Sequence, residues 1–517
     1  MLTIGLDVGT QSTKCLVLNV EDGTVISRGS SSYPVISDRH GQAEQHPAVW
    51  ISVSVVASLD RFAAFNIDMN KKITFSYIQM HIIIYKACRD AIHKALESCD
   101  SSQVCAISVS GQQHGLVVLD ADKEVIRPAK LWCDVESSSQ AEELSASFNT
   151  VIVPSYTITK LLWLKQNEPE NYSRICHILL PHDYVNFWLT GNVCMEASDA
   201  SGTGFLNPKT KEWYSDRISY VDKNLITWLP ETLLGPDSIA GTLTEKTAVE
   251  LNLPAAIPVA AGGGDNAMSA LGAGSVQEGI WNLSLGTSGT LFGPWRHIIE
   301  DSSGAICPFL AATGQALPLI CTMNCTGILE EMRNTFSMEH NQLAELAALE
   351  PAGSLGLLVL PFFTGERTPN WPQATGVICG LRPGFWRPGL IYRASLEGVT
   401  FSLFNGFQHL KNYGIKAKEI RLVGGGSKNI IWAQIIADIF QLPVRILNET
   451  ETAALGAAFQ AAAIATKTSV YDFVSGQAIS VGAARVQPNP ALSEVYSKLF
   501  ERYDKVSRCL SDELEWY

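Results

Sequence analysis

No two of the twelve cysteines form a CxxC pair, and Cys321 and Cys325, the closest two, have no nearby His or Cys to complete a zinc site. Thiols scattered in this way fit buried positions in a reducing cytosol. The chain also has no basic run, and its formal net charge is −13, which argues against a nucleic-acid surface. Long hydrophobic runs are missing too. LNLPAAIPVAAGGG (251–264) is broken by proline and glycine, so no membrane span is expected. The N-terminus enters a strand-like run at once (MLTIGLDVG) with no basic leader or cleavage site, and the expected location is the cytoplasm. Neither GxxxxGK[ST] nor a properly placed GxGxxG occurs, which removes the P-loop and the Rossmann dinucleotide site. The few histidines show no paired ligand spacing, so a permanently bound metal is not expected.

What is present is an ordinary folded composition, 46% hydrophobic and 17% charged, in 517 residues. That length exceeds one core and predicts two or more domains. LTIGLDVG, the polar turn QSTK and CLVLNV read as a β-hairpin, followed by a third strand-like run, TVISRGSSSYPV. VCAISVSGQQHGLVVLD reads as two strands around a polar elbow, and TITKLLWLKQN and LLPHDYVNFWLTG have helical spacing. The second half restarts the pattern: IWNLSLGTSGTLFGPW looks like a second copy of the first hairpin. IRLVGGGSKN is a strand entering a glycine loop, NIIWAQIIADIF an amphipathic helix, and ETAALGAAFQAAAIA a small-residue helix that needs a close neighbour. Two related α/β domains facing each other across a cleft account for this repetition. Residues 51–86 fit neither half: they are rich in Ile, Asn, Lys, Phe, Tyr and Met and show no period. They read either as a surface insertion or as translated non-coding sequence.

Three glycine turns carry the chemistry: Gly9-Thr10-Gln11-Ser12-Thr13, Gly286-Thr287-Ser288-Gly289 and Gly424-Gly425-Gly426-Ser427. Such turns offer backbone N–H groups and hydroxyls without bulk, which suits phosphate oxygens. Two acids stand beside small residues. Asp7, ending an apolar strand, is either a turn-stabilising side chain or a holder of Mg²⁺ through water. Asp265 can cap the helix that follows it. A cap, however, needs neither the three preceding glycines nor the adjoining Asn266.

Taken in order, these stretches resemble the FGGY family of carbohydrate kinases. DVGTQSTK, SGQQHG, LWCD, SYTITKLLWLKQN, LLPHDYVNFWLTG, SDASGT, GGGDN, SLGTSG, FTGERTPNW and GGGSKN carry the resemblance along most of the chain. It implies two RNase H-like domains of the actin-like ATPase fold around a central cleft, the first over 1–255 and the second over 256–500. A terminal helix over 501–517 would pack back on the first domain. The resemblance further implies ATP and Mg²⁺, with Asp265 as general base and Asp7 and Thr10 serving the metal and phosphate. Gln113, His114, Asn266, Trp132 and Asp134 would line the sugar site, with Asp265 at its centre. Gly286 and Thr287 would face the phosphates, and Gly425, Gly426 and Asn429 the adenosine. Gln113 stands where bacterial relatives often carry Met, a change expected to matter little if the backbone makes the contact. Glu366 and Arg367 of GERTP are expected to fix a loop as an ion pair. The implied reaction is phosphorylation of a ketopentose, D-xylulose first, with D-ribulose or another ketose open. A non-catalytic sugar or nucleotide sensor on the same fold is the alternative of another class, and a homodimer is one assembly the family allows.

Overall fold

The computed structural model describes residues 1–51, 87–231, 233–371, 373–477 and 484–511. The atypical stretch 51–86 therefore lies, beyond Ile51, outside the described residues. The chain forms two compact units. The first holds 1–272, 310–314 and 453–477, and the second 273–309, 315–452 and 478–517.

In the first unit β1 (Leu2–Val8) is buried along its whole length, the mark of a central strand covered on both faces. It pairs antiparallel with β2 (Ser12–Asn19), which pairs antiparallel with β3 (Val25–Ser32). β3 alternates half-buried with exposed residues, as an edge strand does. On its other side β1 runs parallel to β4 (Val104–Gly111), the strand before the polar elbow. β5 (Ile239–Thr242) and β6 (Pro258–Ala260) extend the sheet beyond β4, and β7 (Gly263–Gly264) also pairs with β4. Helices α1 (Ala87–Leu96), α2 (Pro181–Thr190), α3 (Ala197–Ala200) and α4 (Asp265–Gly272) complete the part that positions the site.

The second unit repeats this plan. β8 (Ile280–Leu285) pairs antiparallel with β9 (Gly289–Phe292), which lies between β8 and a longer strand. β10 (Cys307–Leu310) and that strand, β11 (Ala316–Thr322), follow on the same side. β8 then runs parallel to β12 (Glu419–Val423), β12 parallel to β13 (Val444–Ile446), and β14 (Arg485–Val486) ends the sheet antiparallel. Both sheets thus share three antiparallel strands followed by parallel ones, the arrangement expected of duplicated RNase H-like domains. The second unit adds α5 (Thr326–Phe336), α6 (His340–Ala348), α7 (Pro388–Lys411) and α8 (Ile430–Phe440). Expected as amphipathic, α8 is buried at nearly every position from Trp432 to Phe440.

The compact units are divided differently from the expected domains. The first unit extends to Gly272, not 255, because Gly263 and Gly264 join β4 and bring Asp265 with them. It also reclaims most of α9 (Thr452–Thr466): a Cβ at Gly5 would stand 2.0 Å from the Ala454 carbonyl oxygen, and one at Gly456 1.9 Å from that of Met268. That is the close neighbour the small residues called for. The terminal helix, expected to return to the first domain, runs Ser493–Ser511 within the second unit. Its aromatic face holds it there, with Tyr496, Phe500 and Tyr503 packed on Phe401 of α7.

Candidate active site

The strand ends of the first unit converge on two acids. Asp7 of β1 and Gly263 of β7 both pair with Ser110 of β4, so the three lie in one row across the sheet. The Ser110 hydroxyl donates to Asp7 Oδ1 at 3.0 Å. Asp265 opens α4 two residues after Gly263, as its sequence position before a small-residue helix predicts. Its carboxyl is pushed up to about 8, by burial first and then by the negative charges of Asp7 and Asp199.

The glycines before Asp265 make room for the protein's own atoms. Gly262 has φ 83°, and a Cβ there would lie 2.5 Å from the Val109 carbonyl oxygen. A Cβ at Gly264 would lie 2.6 Å from the Gln113 side chain. That room lets Gln113 Oε1 accept from Asn266 Nδ2 at 2.7 Å, while the same amide donates to Asp265 Oδ1 at 2.8 Å. The Gln113 side chain thus gives Asn266 an acceptor that a Met at this position would not offer. From the far end of the chain, Gln460 of α9 accepts the Gly262 N–H at 2.9 Å and donates to the Gly262 carbonyl at 3.2 Å.

Thr10 sits in the first glycine turn. Trp132 Nε1 donates to its hydroxyl at 3.1 Å, and that hydroxyl donates to Gln112 Oε1 at 3.1 Å. Gln45 donates to the Thr10 carbonyl at 2.6 Å, and Gln112 donates to Gln45 at 3.0 Å. Trp132, expected near the sugar, is thus bonded to the first glycine turn. Asp134 is wholly buried and takes the Lys130 ammonium at 3.2 Å and the Ala43 N–H at 2.9 Å. Glu44, Asp134 and Glu136 have the spacing of a metal site, but Lys130 Nζ occupies their centre at 3.1, 3.2 and 2.5 Å. Burial pushes the Glu44 carboxyl up, and Arg127 with Lys130 outweighs it, leaving the group below its ordinary value.

His114 is buried and has φ 63°. Asp199 of α3 accepts its backbone N–H at 3.2 Å, and the Thr157 hydroxyl donates to its carbonyl at 3.0 Å. Asp199, His182, Gln45, Gln112 and Gln460 escaped the sequence reading. SDASGT, SGQQHG and LLPHDYVNFWLTG contained Asp199, Gln112 and His182 without giving them a role, and Gln45 and Gln460 meet the site only through distant pairings.

In the second unit, a cavity of about 870 Å³ is lined by Gly286, Thr326, Glu330, His340, Tyr392, Gly425, Gly426, Asn429 and Trp432 among others. It collects four of the five residues expected there. Thr287 does not line it, and its carbonyl accepts the Cys325 N–H at 3.1 Å. Asn429 caps α8 by accepting the Trp432 N–H at 3.2 Å. A Cβ at Gly426 would meet the Trp432 ring at 2.7 Å, whereas one at Gly425 would meet nothing within 4 Å. Glu366 does fix its loop, though by accepting the Met323 and Arg367 N–H groups at 2.7 Å each. Arg367 Nη2 lies 3.0 Å from Cys307 Sγ.

All twelve cysteines are free thiols. Among the described residues no helix is long and apolar enough to cross a membrane.

Comparison with known proteins agrees with this layout. The N-terminal domain model of the FGGY family of carbohydrate kinases matches residues 63–272, and the C-terminal domain model residues 282–465. The xylulose kinase of Haemophilus influenzae is 34% identical over 97% of this chain and 98% of its own. Two solved structures from Lactobacillus acidophilus, a ligand-bound xylulose kinase and a gluconate kinase, each superpose with a TM-score of 0.85 at 25% identity. Each comparison covers 99% of this chain, with 98% of the first structure and 99% of the second. With its duplicated sheets, its acids at the strand ends and two matching domain models, this chain belongs to the FGGY family of carbohydrate kinases.

Proposed function

We propose that the chain is a cytoplasmic ATP-dependent kinase that phosphorylates D-xylulose to D-xylulose 5-phosphate. The observation that carries this reading is the Asp265 carboxyl, raised to about 8 and flanked by Asn266 and Gln113. An ordinary carboxylate is a poor acceptor for an alcohol proton. Burial, with Asp7 and Asp199 nearby, brings Asp265 close to a working pH, and it accepts the proton from its ionised form, whose share grows as pH rises toward 8. Phosphoryl transfer passes through a loose transition state, so Asp265 first orients the sugar hydroxyl and takes its proton late. Asn266, held by Gln113, and His114 hydrogen-bond the open-chain ketose. Asp134 acts behind them, fixing the segment that carries Trp132.

Thr10 presents the first phosphate turn, steadied by Trp132 and Gln112. Gly286 and Thr287 form the second turn, while Gly425, Gly426 and Asn429 receive adenosine. The open side of Gly425 supports that assignment, because no protein atom explains its missing side chain. Asp7 and Asp265 offer hard oxygens whose mutual repulsion a divalent cation relieves, so these residues fit Mg²⁺ held by Asp7 through water. When bound, that ion neutralises charge on the phosphates.

The test is ADP release by the full-length protein with ATP and Mg²⁺ on D-xylulose, D-ribulose, L-xylulose, L-ribulose, glycerol and gluconate. D-Xylulose is expected to give the highest kcat/KM. Preference for gluconate or D-ribulose overturns the substrate, and silence on every sugar, both in the full chain and in one lacking residues 51–86, overturns the kinase reading in favour of a sensor.

A further inference from the structure

Asp199 is wholly buried, and its carboxylate faces two imidazoles. Oδ2 lies 3.0 Å from His182 Nδ1, and Oδ1 lies 3.4 Å from His114 Nδ1. Oδ1 also takes the backbone N–H of His114 at 3.2 Å, at a residue whose positive φ costs energy unless its surroundings fix it. The turn bearing Asp199 is itself braced. Glu196 accepts the Ser198 and Asp199 N–H groups at 2.6 Å each. On its far side the His182 ring lies 3.0 Å from Asp183 Oδ1, so a carboxyl stands on each side of it. Burial alone pushes His182 down, yet Asp183 and Asp199 hold it well above its ordinary value, and its Nδ1 side fixes the Asp199 carboxylate. Gly202 gives the His114 ring its room, since a Cβ there would stand 1.8 Å from Cε1.

We propose that Asp199 is the positioning residue of the sugar subsite, fixing His114 with Nδ1–H toward the carboxylate and Nε2 turned to the sugar. A buried Asp–His–Asp chain could serve stability alone. What separates the two roles is that Asp199 accepts the His114 backbone N–H and also stands 3.4 Å from the ring Nδ1, the atom a small ring rotation would bring into hydrogen-bond geometry. The inference rests on the reading that His114 contacts the sugar. Loss of an orienting group commonly costs ~10-fold or more.

The test is a double-mutant cycle on KM for D-xylulose with Asp199→Asn, His114→Gln and the pair, with KM for ATP measured alongside. Each single variant is expected to raise the sugar KM about 10-fold, leave the ATP KM within about 2-fold, and add nothing in the pair. If His114→Gln leaves the sugar KM unchanged, the sugar contact of His114 is wrong. If it raises KM but the two effects multiply, the contact stands and the positioning role of Asp199 is overturned. A measurement on the parent protein covers the case in which Asp199→Asn does not fold. With ¹⁵N-histidine labelling and His114→Gln to assign the signal, a proton on Nδ1 of His114 supports the proposal, and a neutral Nε2–H tautomer overturns it.

Discussion

Asp265 is tuned against its own stability. Its carboxyl titrates near 8 in the fold against about 4 in an unfolded chain, so between those values the folded state holds more protons. Stability therefore falls as pH rises through that window. Asp265→Asn, which cannot ionise, is expected to melt above the parent at pH 9, with the gap closing toward pH 4. The same variant should keep ATP binding while turnover drops by at least ~10²-fold. A parent-like melting profile across that pH range would show that the carboxyl is not held in its protonated form. The glycines divide in a way no sequence motif shows. GGGDN and GGGSKN look alike on paper, yet Gly264 is filled by Gln113, whereas a Cβ at Gly425 meets open space. Gly425→Ala is thus expected to leave the melting temperature unchanged and raise the ATP KM by about 10-fold, on the scale of a misplaced ligand. An unchanged ATP KM would remove Gly425 from the nucleotide site.

Elements were legible where their signal is local. The hairpins β1–β2 and β8–β9 show in strand runs around Gly-Thr turns, and α8 and α9 in their apolar content. The two-residue β7 was not legible, because two glycines have no side chains to show a face. Nor was the grip of Asp199 on His114, which joins residues 85 apart in sequence. Lys130, in a short strand paired with Glu44 and Gln45, shows how burial raises the stakes of a charge. Its ammonium sits among three carboxylates and 3.9 Å from the centre of the Trp163 ring. Lys130→Met leaves those acids without their common cation and is expected to cost about 3–5 kcal/mol in urea denaturation. A loss below about 1 kcal/mol would mean that the acids relax into solvent or protonate cheaply.

At the scale of the whole molecule, the duplicated sheets are anticipated by the repeated hairpin, but the allotment of α9 is not. It lies late in the sequence and packs on the first strand of the chain, a pairing no local pattern encodes. A fragment ending at residue 272 should therefore show no cooperative melting, and fusing residues 453–477 to it through a flexible linker should restore a transition. Cooperative melting of 1–272 alone would show that α9 is dispensable to the first unit. The Gln460 contact with Gly262 also sets a schedule. The loop before Asp265 is finished by a residue made 198 positions later. At roughly 5–20 residues per second, the ribosome takes about 10–40 s to supply it. A nascent chain carries its proposed base through that interval without the amide that pins the loop, so any early stop codon before 460 yields a product lacking that support, however complete its motifs look.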